Sequence, residues 1–171
     1  MVRSIIFGGA LLVSAVPAHA APMLWRDIEA GATEASVKAR YPAVKGAVKH
    51  KKKSVKLDNV QITSSCKADA NINFRDGVVE SVVLEDNGAL VGSCSEMVLT
   101  SLSAKYGQPS AQSQAGESLF SYESKNYVWS HDGVVLLFKR FTNDDAGLSG
   151  AGLFTPSWEL TYSALQSAPD L

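Results

Sequence analysis

Asn71-Ile-Asn-Phe-Arg-Asp-Gly-Val-Val-Glu-Ser-Val-Val-Leu-Glu85 reads as a β-hairpin closed by Asp76-Gly77. A two-residue type I′ turn needs positive φ twice, and an Asp-Gly pair between β-branched and aromatic runs meets that need at little steric cost. The motif recurs at Tyr127-Val-Trp-Ser-His-Asp-Gly-Val-Val-Leu-Leu-Phe-Lys-Arg-Phe141, with the same Asp-Gly-Val-Val core. Direct pairing across the first turn sets Phe74 opposite Val79 and Ile72 opposite Ser81. Ala70, Ile72, Phe74, Val79 and Val83 then share one face, and Asn71, Asn73, Arg75 and Glu80 the other. Across Asp132-Gly133 the same pairing groups Tyr127, Trp129, His131, Val134, Leu136 and Phe138, with Val128, Val135 and Leu137 opposite. Both faces of the second hairpin are apolar, so either it is buried on both sides or an aromatic face is left for a partner.

Working outward, each hairpin is preceded by a short helix. Thr33 is an N-cap, Val37 and Tyr41 stack one turn apart, and Pro42 ends the first helix. Ser93-Cys94-Ser95-Glu96 is a capping box for the second, with Leu99, Leu102 and Tyr106 on one stripe and a stop at Gly107 and Pro109. Strands are expected over Ser54 to Thr63, with a blurred alternation, over Ser118 to Glu123, and last over Trp158 to Ser163. Lys-rich Ala43 to Ser54 reads as an exposed connection, and polar Ser110 to Glu117 as a mobile one. The expected fold class is α+β, with two αβββ-type repeats and short helices packed on antiparallel sheet: 1–20 a leader, 21–92 the first repeat and 93–171 the second, forming one compact domain.

The leader is read from Arg3, the apolar run Ile5 to Val16, and Ala18-His19-Ala20, the layout of a secretory signal peptide. That run is too short to cross a bilayer, and no later segment is long enough. A periplasmic or secreted product is expected. In an oxidising compartment Cys66 and Cys94, the two cysteines of the chain, are expected to pair. They form no Cys-x-x-Cys, and a structural zinc site would need both of them together with His50 and His131, every cysteine and histidine after the leader. No metal or cofactor is expected.

The net charge of −1 argues against nucleic acid as a partner. The basic cluster Lys49, Lys51, Lys52 and Lys53 is either a solvated loop or a site for anionic lipid or glycan, and it lacks the interleaved aromatics of a nucleic-acid surface. No nucleophile elbow, phosphate loop or zinc-protease motif occurs. His131 beside Asp132 is the one pair that could support a small hydrolase. Asn143-Asp144-Asp145 lacks the spaced oxygen ligands of a calcium loop.

The segment Ile28-Glu-Ala-Gly-Ala-Thr-Glu-Ala-Ser-Val37, ending at Tyr41-Pro42 and followed by strands, resembles the helical opening of β-lactamase-inhibitor-protein-like and SmpA/OmlA-type envelope modules. The resemblance implies short helices on a small antiparallel sheet, with tandem copies forming a concave surface that grips a protein partner. The lipid-bearing cysteine of the envelope lipoproteins is missing, and a Cys66–Cys94 bridge would link the copies. The expected function is therefore non-catalytic binding of a protein in the cell envelope, as an inhibitor or assembly factor. The candidate contacts are Tyr127 and Trp129 on the sheet, and Asp144, Asp145 and Phe154 on the loop from Asn143 to Pro156.

Overall fold

The computed structural model describes residues 21–49, 52–86, 94–115, 122–143 and 158–165. The leader, His50, Lys51, the capping Ser93, and Asp144, Asp145 and Phe154 lie outside them. The chain forms an α+β fold with two short helices and antiparallel sheet. A two-stranded ribbon, β1 (Met23–Trp25) and β2 (Ile28–Glu29), leads into α1 (Glu34–Arg40). Then come β3 (Lys45–Lys49), β4 (Lys52–Gln61), β5 (Lys67–Arg75) and β6 (Val78–Asp86). After α2 (Cys94–Tyr106) follow β7 (Ser110–Ala115), β8 (Tyr122–His131), β9 (Val134–Asn143) and β10 (Trp158–Ala164).

One antiparallel sheet of eight strands runs β3-β4-β5-β6-β10-β9-β8-β7. Each helix is thus followed by a meander of four strands, where three were expected, and the meanders join at β6 and β10. The two additional strands are the segments read as loops, Lys45–Lys49 and Ser110–Ala115. Both lie at sheet edges, where a strand needs no apolar alternation to be held by its one neighbour. Lysines on an edge such as β3 also discourage pairing with another chain.

Both Asp-Gly turns have the expected geometry, with φ of 53° and 82° at Asp76 and Gly77, and 48° and 76° at Asp132 and Gly133. In the second hairpin the register is as read: Tyr127 faces Phe138, Trp129 faces Leu136, and His131 faces Val134. In the first, Phe74 faces Val79, but a bulge at Glu80 sets Asn73 opposite Ser81 and Ile72 opposite Val82. An extra residue flips everything beyond it. Val82 and Leu84 therefore point into the core, and Val83 points away from it, correcting the face assigned to Val83. A second irregularity, between Leu57 and Val60, accounts for the blurred phase of β4. Asn59 there has φ of 55°, and its backbone N–H donates to Asp69 Oδ1 at 3.0 Å.

Both helices contribute to one core on one face of the sheet. Val37 of α1 and Cys94, Val98 and Leu102 of α2 cluster with Val55, Ile72, Phe74, Leu84, Leu136, Phe138, Trp158 and Leu160. The α1 cap forms as the sequence indicates, with Ser36 N–H donating to Thr33 Oγ1 at 3.2 Å. Gly107, at φ 83°, closes α2 by donating its N–H to the Ser103 carbonyl at 3.0 Å. The buried stripe of α2 centres on Val98 and Leu102, and Leu99 and Tyr106 flank it half-buried. Cys66 and Cys94 are bonded, with Cα atoms 5.5 Å apart, fastening the start of β5 to the first residue of α2.

Two buried tryptophans differ in one respect. The Trp129 indole N–H donates to the Gly107 carbonyl at 2.9 Å, whereas the Trp158 indole N–H is buried without an acceptor among the described residues. Phenylalanine at either position removes similar apolar area, but only at 129 does it remove a hydrogen bond. Urea melts of Trp129→Phe and Trp158→Phe should therefore differ by about 1 kcal/mol, with Trp129→Phe the less stable. Equal losses would show that the bond to Gly107 contributes nothing.

Candidate functional site

The nominated aromatics do not form a contact surface. Trp129 is only 3% exposed and is fixed under the end of α2, so its assignment as a partner anchor is corrected to a core role. Tyr127 is half-buried, its ring 6.5 Å from that of Trp129 and 6.0 Å from that of Phe138. Of the lysine cluster, Lys49 and Lys52 are paired in register at the end of the β3-β4 hairpin, and Lys53 forms an ion pair with Glu34 of α1. Nearby, Lys45 reaches Asp58 at 2.6 Å, and Lys56 bridges Asp58 and Asp69 at 3.1 and 2.7 Å. These basic groups stitch the edge of the sheet together. Among the described residues, no group of three or more His, Cys, Asp and Glu could hold a metal ion, and no helix is long and apolar enough to cross a membrane.

Two regions remain. The first is the sheet face turned away from the helices. One row across it reads Asn71, Val83, Thr161, Leu137 and Val128, and the next reads Asn73, Ser81, Ser163, Val135 and Ser130. From β5 to β8 neither row contains a charge; at the sheet edge the first continues into Lys56 of β4 and Lys45 of β3. A third row, Asp69, Glu85, Glu159, Lys139 and Asn126, supplies a charged border. On this face Asn71, Ser163, Val135 and Leu137 are buried, Val83, Thr161 and Val128 are half-buried, and Ser130 is exposed. The polar side chains are partly paired, Asn71 donating to Glu85 and Asn73 to Ser81, each at 3.1 Å.

The second region is a cavity of about 380 Å³ on the helical side, at one end of the sheet. Four parts of the chain meet there. The β1 ribbon brings Met23, Leu24, Trp25 and Arg26; the end of α2 brings Lys105 and Tyr106; the second hairpin brings His131, Asp132, Val134 and Leu136; and β10 brings Tyr162. Among the described residues its lining holds no serine, threonine or cysteine. His131 Nε2 lies 3.0 Å from Asp132 Oδ2, but both are well exposed at the hairpin tip, and the imidazole ring sits 5.6 Å from that of Tyr106. Burial, with a smaller contribution from Tyr106, pushes the Tyr162 hydroxyl well above its ordinary pKa, so it stays a neutral donor.

No protein-family model, curated protein or solved structure matches this chain. Its chemistry is therefore read from geometry. A smaller cavity of about 210 Å³ between β2 and α1 is already internally satisfied: Tyr41 donates to the Asp27 carboxylate, and Arg40 pairs with it at 3.3 Å. The Tyr41 bond holds the Asp27 carboxyl below the usual range, while burial and then Asp27 push the Tyr41 hydroxyl up to about 12. In the larger cavity the cations form no ion pair among the described residues, and Arg26 donates one hydrogen bond to the Gln61 carbonyl. Nothing in the sequence joins Arg26, the adjacent pair Lys105-Tyr106, and Tyr162, because the three places are distant in the chain and each reads locally as turn, helix or strand.

Proposed function

We propose that the chain is an exported, non-catalytic binding protein that takes a protein partner in the cell envelope on the helix-free face of its sheet. The carrying observation is the one-sided packing: both helices share a single core, while the opposite face has an uncharged centre of short aliphatic, hydroxyl and amide groups and a charged border. A centre depleted in charge and a polar rim are what protein interfaces present. The recurrence of helix and meander, meeting at β6 and β10, supports reading the chain as two copies of one unit. The resemblance of the first helix to the β-lactamase-inhibitor-protein-like and SmpA/OmlA-type modules supports the same binding mode. The second reading, a small hydrolase, has only the His131–Asp132 pair in its favour, with no serine, threonine or cysteine among the described residues of the cavity lining. The third, an anionic lipid or glycan site at Lys49 to Lys53, is weakened by the pairing of Lys53 with Glu34.

Photo-crosslinking in intact cells tests the proposal. A benzophenone side chain at Thr161 or Ser130, on the helix-free face, should give one discrete protein adduct, and the same group at Ser36 on α1 should not. The absence of an adduct from both sheet positions in a folded, disulfide-bonded protein would sink the proposal. So would the same adducts from Ser36.

A further inference from the structure

The larger cavity has the makings of a second, independent site. Its charges are unbalanced: neither Arg26 nor Lys105 forms an ion pair among the described residues, although the Arg26 charge acts on the neighbouring Asp27 carboxylate, and the one acid in the described lining, Asp132, is beside His131. Both cations are held in place by aromatic rings. The Arg26 guanidinium lies 4.5 Å from the centre of the Trp25 ring and donates Nη2–H to the Gln61 carbonyl at 3.0 Å, its one side-chain hydrogen bond among the described residues. The Lys105 ammonium sits 4.8 Å from the centre of the Tyr106 ring. Such contacts orient a cation without neutralising it.

Two further donors belong to the cavity. The hydroxyls of Tyr106 and Tyr162 hydrogen-bond to no group among the described residues. The carbonyl end of α2, which would repel an anion, is partly screened, since the Gly107 carbonyl accepts from Trp129. The floor is apolar, with Leu24, Val134 and Leu136 all buried. The cavity volume falls in the range of small-molecule sites, about 300–1,000 Å³. A cationic ligand is disfavoured, because Arg26 and Lys105 already lie over the Trp25 and Tyr106 rings.

We propose that this cavity binds a small organic anion with an apolar body, its charged group held by Arg26 and Lys105 and its body lying on Leu24, Val134 and Leu136. The ligand class is an aryl or branched-chain carboxylate or sulfonate. This is independent of the protein partner proposed for the opposite face.

The probe is 8-anilinonaphthalene-1-sulfonate, an aryl sulfonate whose fluorescence rises on apolar surfaces, titrated into the folded protein alongside N-phenyl-1-naphthylamine, which has the same rings and no charge. The expected result is saturable binding of one sulfonate per chain, weakened at least tenfold in Lys105→Gln combined with Arg26→Gln, with the uncharged amine bound more weakly by the unaltered protein. Lys105→Gln alone, at an exposed helix position, keeps the test valid if the double variant does not fold, and should itself weaken binding severalfold. The proposal is overturned if no saturable site exists, if the charge variants bind the sulfonate as well as the parent does, or if the amine binds as tightly as the sulfonate.

Discussion

Replacing Cys66 and Cys94 together with alanine should lower the stability of the chain by about 3–4 kcal/mol. The bond closes a loop spanning a sequence separation of 28 and removes that much conformational freedom from the unfolded chain on the entropic account. Both sulfurs are buried in the shared core, so the smaller side chains leave a small additional cavity. The bridge encloses the β5-β6 hairpin and fixes the N-terminus of α2 to the start of β5. Its loss should therefore free the helix more than the hairpin. Urea unfolding followed by circular dichroism measures the total, and hydrogen exchange along α2 measures the local part. A loss under about 1 kcal/mol would mean that the core alone holds α2 in place.

A loss of similar or greater size is expected for Phe138→Ala, about 3–5 kcal/mol. Phe138 is fully buried on β9, paired with Leu160 on one side and Tyr127 on the other, and its ring lies 5.9 Å from that of Trp158. Truncation removes a ring packed between β8 and β10 in the core, and close packing leaves the neighbours little room to collapse into the void. For a domain of this size the melting temperature should fall by about 10 °C or more. Val135→Ala, on the opposite face of the same strand and outside the shared core, should cost much less. Equal costs would show that the two faces are equally tightly packed and would undercut the one-sided core.

Much of this fold was legible in the sequence because particular residues have little freedom. Asp76-Gly77 and Asp132-Gly133 mark tight turns through their backbone preferences, Thr33 and Gly107 mark helix ends, and the alternation of Trp158, Leu160 and Tyr162 marks a core strand. The edge strands were not legible. Lys45-Gly-Ala-Val-Lys49 and Ser110-Ala-Gln-Ser-Gln-Ala115 owe their form to a neighbour and carry little pattern of their own. Nor was the bulge at Glu80, since a slip of one residue leaves composition unchanged while exchanging Val83 for Val82 and Leu84 in the core. Trp129 looked equally suited to an interface or an interior, and the fold chose the interior by giving its N–H an acceptor at Gly107. The cavity was the least legible part, since its cations and phenols converge only once β1, α2, β9 and β10 have assembled.

The seam between β6 and β10 also sets an order of events during synthesis. Ribosomes deliver the first meander complete, yet its inner margin, with Val82 and Leu84 facing the core, stays unzipped until Leu160 and Tyr162 emerge near the far end of the polypeptide. Pairings so remote in sequence close slowly, and a naked apolar strand margin is adhesive while it waits. Nascent chains of this protein thus pass through an interval of vulnerability that lasts until β10 arrives, and a holding chaperone that shields β6 would shorten the list of ways to go astray.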